Sequence, residues 1–124
     1  MWVMMNDSFL SIVQDQKDPR MLMVRARKAG DIRTVFPDAS VAETTASDYR
    51  YRASIRRSRV VERIAARLQN VDYPNFKDSV EDEERHDAYL EVWQTMMLWG
   101  NGVLKRRPVF LPGRKAPAKK AAPR

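Results

Sequence analysis

The chain has 124 residues, 23 of them basic and 16 acidic, with one histidine and no cysteine. That length fits one small domain with a single core, and the missing cysteine excludes disulfides, thiol catalysis and thiolate metal sites while agreeing with a reducing, cytoplasmic setting. Eight of the bases and none of the acids lie in residues 105–124, so the first 104 carry 15 bases against 16 acids, and the pI near 10.1 describes a tail rather than a fold.

In chain order the sequence predicts strands first and helices last. Trp2 to Met5 and Phe9 to Val13 are short apolar runs separated by Asn6-Asp7-Ser8, whose side chains favour turns, which reads as a hairpin. Met1, Met4 and Met5 there read as core or edge packing. Pro19 closes a polar link, after which Leu22, Val24 and Ala26 alternate with Met23, Arg25 and Arg27 as a third strand. Gly30 breaks it, Asp31 is placed to cap a short helix striped by Ile32, Val35 and Phe36, and Pro37 stops that helix. Residues 38–47 read as a loop. Asp48 to Ile55 then alternates again as a fourth strand, with Tyr49 and Tyr51 opposite Arg50 and Arg52.

From Ser58 the period changes to that of a helix carrying Val60, Val61, Ile64, Ala65 and Leu68. The two aromatics of Asp72-Tyr73-Pro74-Asn75-Phe76 are expected to pin a turn. The longest helix is expected to open at Ser79, with Glu81 to Glu84 favoured by its dipole. Its stripe is Tyr89, Val92, Trp93, Met96 and Trp99, and it ends at Gly100-Asn101-Gly102. The resulting fold class is α+β, a two-layer sandwich of order β-β-β-α-β-α-α, with a four-stranded mixed sheet and helices on one face. A right-handed crossover around the first helix would make the third and fourth strands parallel. Residues 1–102 form the domain, and residues 103–124 form a basic, largely disordered tail.

Two features of the domain bear on function. If the third and fourth strands are neighbours, Arg25, Arg27, Arg50 and Arg52 share the face away from the core, where guanidinium forks suit phosphate or carboxylate; the alternative is a solvated face paired with nearby acids. Residues 20–67 hold twelve bases against five acids, whereas residues 72–91 hold eight acids against two bases. The acidic start of the last helix therefore either docks near the arginines and neutralises them or projects away as a negative patch. Arg56, Arg59, Arg63 and Arg67 lie along one helix face, read as the exposed side of an amphipathic helix.

In the tail, Lys105, Arg106, Arg107, Arg114, Lys115, Lys119 and Lys120 are the candidate polyanion contacts, and Val109, Phe110 and Leu111 would fold back on the domain or dock on a partner. Lone His86 beside Glu83 and Asp87 makes no catalytic relay, and the carboxylates at 81–84 and 87 do not follow a calcium-loop spacing. The four glycines form no phosphate-binding loop. No catalytic residue, metal or cofactor is expected. Nor is a membrane partner, because no apolar run approaches the roughly eighteen residues of a span.

The segments Met23-Val24-Arg25-Ala26-Arg27, Asp48-Tyr49-Arg50-Tyr51-Arg52-Ala53 and Asp72-Tyr73-Pro74-Asn75-Phe76-Lys77, with Tyr89 and Val92-Trp93, resemble those of a group of short bacterial and phage proteins. The resemblance covers about residues 2–96 and stops before the tail. It implies a bacterial or phage origin and carries no activity, ligand or site. The expected function is a non-enzymatic macromolecule-binding module, acting as monomer or homodimer on a host protein, a nucleic acid or both, with the tail supplying attraction to polyanions. The alternative is a small assembly protein that forms a homo-oligomer through an edge strand of the hairpin.

Overall fold

The structure, a computed structural model, describes residues 1–104. Its strands are β1 (Trp2–Met5), β2 (Ser8–Gln14), β3 (Met21–Ala26), β4 (Ala42–Glu43) and β5 (Tyr51–Arg56). Its helices are α1 (Asp31–Val35), α2 (Arg57–Gln69) and α3 (Glu83–Gly100), with a 3-10 turn at Lys77–Ser79 before the last. The strands form one five-stranded sheet in the order β1-β2-β3-β5-β4, and every neighbouring pair is antiparallel. The chain is therefore α+β, as the change of period from strand to helix implied.

Alternation within the strands divides the sheet cleanly. Leu10, Ile12, Val24, Ala26 and Ala53 point to one face, where Ile32, Val35 and Phe36 from α1 and its exit and Val60 from α2 close the core. Each large aliphatic side chain buried there stabilises the fold by roughly 1.5–3 kcal/mol relative to exposure. Gly30 enters α1 with φ of 87°, in the left-handed region that favours glycine, and so turns the chain from β3 back over this face.

Three expectations are corrected. The sheet has five strands rather than four, because Ala42–Glu43, inside the expected loop, pairs with Arg52 and Tyr51 at the far edge. It is antiparallel rather than mixed: Ala26 faces Tyr51 and Met21 faces Arg56, so β3 and β5 run in opposite directions. A parallel crossover would have to travel back along β3, a six-residue strand of about 20 Å. The five residues of α1 span only about 7.5 Å. Residues 36–50 do not make up the difference either: Ala42 and Glu43 lie level with Arg25 and Ala26, so the chain re-enters the sheet at the end where it left.

Third, the last helix begins at Glu83 rather than Ser79, because Asp82 accepts the Arg85 N–H at 2.8 Å and caps it. Ser79 sits instead in the 3-10 turn, its hydroxyl bonded to the Phe76 carbonyl. The aromatic pin holds as expected: Tyr73 packs on Phe76 at 6.0 Å between ring centres, and Phe76 stacks on Tyr89 at 5.7 Å. Among the described residues no helix is long and apolar enough to cross a membrane.

Candidate functional site

The sheet face opposite the core is built from the other half of each alternation. The strand registers align Trp2, Ser11, Arg25, Arg52 and Ala42 in one row across all five strands. A second row, Val13, Met23 and Ser54, lies beside it, and Arg56 sits opposite Met21 further along. Trp2 meets Phe9 edge to face at 6.3 Å between ring centres. One end of this face thus carries aromatics and the other carries guanidiniums.

Arg25 and Arg52 are direct cross-strand neighbours, a placement that disfavours like charges. Arg25 donates to Ser11 Oγ at 2.7 Å and lies 4.5 Å over the centre of the buried Tyr49 ring. Arg52 donates to Ser47 Oγ and to the Tyr49 carbonyl. Neither is ion-paired to a carboxylate among the described residues, and the enclosed Nε of Arg25 has no hydrogen-bond partner there. Arg27 joins the cluster by lying 4.3 Å over the same Tyr49 ring, with Asp48 at 3.9 Å. Tyr49 is the piece that strand alternation misplaces. It precedes β5 and lies beneath Arg25 and Arg27 instead of joining Tyr51 against the core.

Arg50 does not share the face. Its guanidinium meets Glu43 of the edge strand β4 at 2.7 Å and approaches the Tyr51 ring on the core side. Three of the four expected arginines therefore come together, and Arg56 adds a fourth cation. The expected tail contacts, Lys105, Arg106, Arg107, Arg114, Lys115, Lys119 and Lys120, lie outside the described residues, as do Val109, Phe110 and Leu111.

A groove of about 550 Å³ runs beside the pair, lined by Val13, Met23, Arg25, Arg52 and Ser54 and rimmed by the Asp15–Asp18 turn. Asp15 is the carboxylate at the inner end of this turn, and Ser54 Oγ at 2.8 Å and the N–H groups of Lys17 and Asp18 donate to it. The bond from Lys17 N–H, followed by that from Ser54, holds its pKa below the usual value. Asp15 forms no ion pair with Arg25 or Arg52.

The acidic start of α3 docks elsewhere. Glu84 reaches Lys28 at 3.8 Å, and Arg85 inserts between α1 and the hairpin turn. The arginines of α2 are also spoken for locally: Arg59 meets Asp38 and Glu62, Arg63 donates to the Val35 carbonyl at 2.9 Å, and Arg67 reaches Asp7. That series is not a solvated outer face, because three of its members reach back to α1, its exit and the hairpin. Among the described residues no three His, Asp or Glu side chains converge in a way that would hold a metal.

The chain matches no protein-family model, no curated protein and no solved structure. Its function must be read from its own surface. Sequence reasoning missed Trp2, Phe9 and Ser11 on the arginine face. The signal was present in the alternation of the hairpin, but only the β2–β3 register places those residues beside Arg25.

Proposed function

We propose that this chain is a non-enzymatic binding module for single-stranded nucleic acid, with the open sheet face as its contact surface and the tail as an electrostatic aid. The observation that carries this reading is the Arg25–Arg52 cross-strand pair, set on the face turned away from the core and from the packing of α1 and α2 and lacking an ion-paired carboxylate among the described residues. Two adjacent guanidiniums repel, and an anion seated between them removes that cost while accepting bidentate hydrogen bonds. Phosphate oxygens fit that role.

Trp2 and Phe9, two strands and one strand away from Arg25, supply π-faces on which bases can stack while the backbone tracks the arginines. The eight cations of residues 105–124 raise the local concentration of any polyanion. Fluorescence anisotropy with a labelled single-stranded oligonucleotide tests the reading. Arg25→Gln with Arg52→Gln should weaken binding at least about tenfold and reduce the salt slope by about 1.4, roughly 0.7 for each phosphate contact removed from a single strand. Binding that is unchanged in this variant, yet lost on deletion of residues 105–124, would leave the tail as the contact and the sheet face idle.

A further inference from the structure

The two edges of the sheet are guarded unequally. At one, β4 has two residues and its Glu43 is tied to Arg50 at 2.7 Å, a short and charged edge of the kind that resists pairing. At the other, β1 reads Trp-Val-Met-Met, with no charge, no proline and an unbroken register on β2, and Trp2 is 72% exposed. Such an edge is a template for another strand.

The ladder shows which main-chain groups are on offer. Met1 and Ile12 exchange both bonds, the Met1 nitrogen donating to the Ile12 carbonyl at 2.7 Å and the Ile12 N–H to the Met1 carbonyl at 2.8 Å. Bonded and non-bonded pairs alternate in an antiparallel ladder, so Val3 with Leu10 and Met5 with Ser8 are the next bonded pairs. The N–H and C=O groups of Trp2 and Met4 therefore point away from β2, into the open edge. Beside Met4, an open groove of about 570 Å³ shared with Phe76, Trp93 and Met96 leaves room for what pairs there.

Self-complementarity selects the occupant. When two copies of β1 run antiparallel about a twofold axis at Val3, Trp2 of each stands opposite Met4 of the other, and every outward N–H and C=O of both residues finds a partner. Registers that set Trp2 on Trp2 or Met4 on Met4 satisfy only half of them. In the favoured register only apolar side chains meet: Val3 faces Val3, and the Trp2 ring meets the Met4 sulfur, a favourable contact. Trp2 of the second copy then stands at the groove beside Met4.

We infer that β1 pairs with β1 of a second copy of this chain, antiparallel and centred on Val3, joining two sheets into one. The twofold axis is normal to the sheet, so both arginine faces lie on the same side and stay open. The inference does not rest on what that face binds, and sedimentation without nucleic acid reads it alone.

The full chain and Met4→Pro provide the first test. Proline at position 4 removes an outward N–H and leaves the bonds of Val3 and Met5 to β2 in place, a substitution edge strands accept, and circular dichroism verifies the fold. Wild type should show a monomer–dimer equilibrium at roughly tens of micromolar, as a small interface does, and Met4→Pro at least about tenfold weaker association. The register is tested by cross-linking with oxidised glutathione, because the chain has no cysteine of its own. Val3→Cys places two thiols across the axis with Cα atoms about 4.5 Å apart, within disulfide reach, and should form a covalent dimer. Trp2→Cys and Met4→Cys should each fail to link to themselves, at about 7 Å or more, and should link to each other when mixed. A wild type monomeric at about 100 micromolar would overturn the inference, and a dimer released only by deleting residues 105–124 would make the tail the occupant of the edge instead. A dimer indifferent to Met4→Pro, or a Val3→Cys chain that does not cross-link, would overturn it equally.

Discussion

The Asp31 carboxylate accepts three hydrogen bonds from two distant segments. Its Oδ1 accepts Arg85 Nη2 at 2.7 Å, and its Oδ2 accepts both Arg85 Nη1 and the Phe9 N–H at 3.0 Å. Ser8 Oγ donates to its carbonyl, and Tyr89 completes the set by donating to the Met5 and Ser8 carbonyls. Burial disfavours the Arg85 charge, but the bonds from Asp31 and Tyr89 outweigh it and hold the guanidinium pKa above its ordinary value. One carboxylate thus ties the hairpin turn, α1 and α3 together. Removing one member of a buried pair leaves the other uncompensated, at a cost of about 3 kcal/mol or more. Asp31→Ala is expected to lower the urea midpoint of unfolding by about 1 M or more, given ordinary denaturant slopes.

Tyr89 adds a pH signature. Burial first, opposed by Arg85, raises its folded-state pKa above the unfolded value near 10. Its contribution to stability is therefore complete below about pH 10 and is lost as pH climbs through the raised folded value. Urea unfolding at alkaline pH should show wild type losing stability more steeply than Tyr89→Phe, which has no hydroxyl to ionise. Little of this network was legible beforehand. The position of Asp31 after Gly30 suggested a helix cap, and nothing in the sequence brings Arg85, fifty-four positions away, to it.

At the level of elements, α3 is the informative case. Its periodicity predicted one continuous buried stripe from Tyr89 to Trp99, yet Tyr89 is its only buried member. The reason is length. An 18-residue helix reaches about 27 Å, and the neighbouring edge strand β1 has four residues, about 13 Å. The helix outruns the domain that anchors it. Backbone amides from Val92 onward should therefore exchange with solvent faster than those around Tyr89, which hydrogen exchange followed by mass spectrometry measures. Equal protection would mean that another segment or a second molecule holds this half of the helix.

The sheet has two unlike faces. The helices α1 and α2 close the core on one side, and on the other Arg25, Arg27 and Arg52 gather around Tyr49, with Trp2 and Phe9 toward the hairpin edge.

Alternation and helical period, both local properties, were enough to establish the α+β class, the hairpin, the core-facing Val24 and Ala26 of β3, and the placement of Arg25 and Arg52 on the opposite face. Strand direction, the added edge strand, the departure of Arg50 to Glu43, the Asp31–Arg85 tie and the overhang of α3 depend on how far each connection reaches and on what it meets there. Those are distances between residues remote in the chain, and only the packed fold determines them.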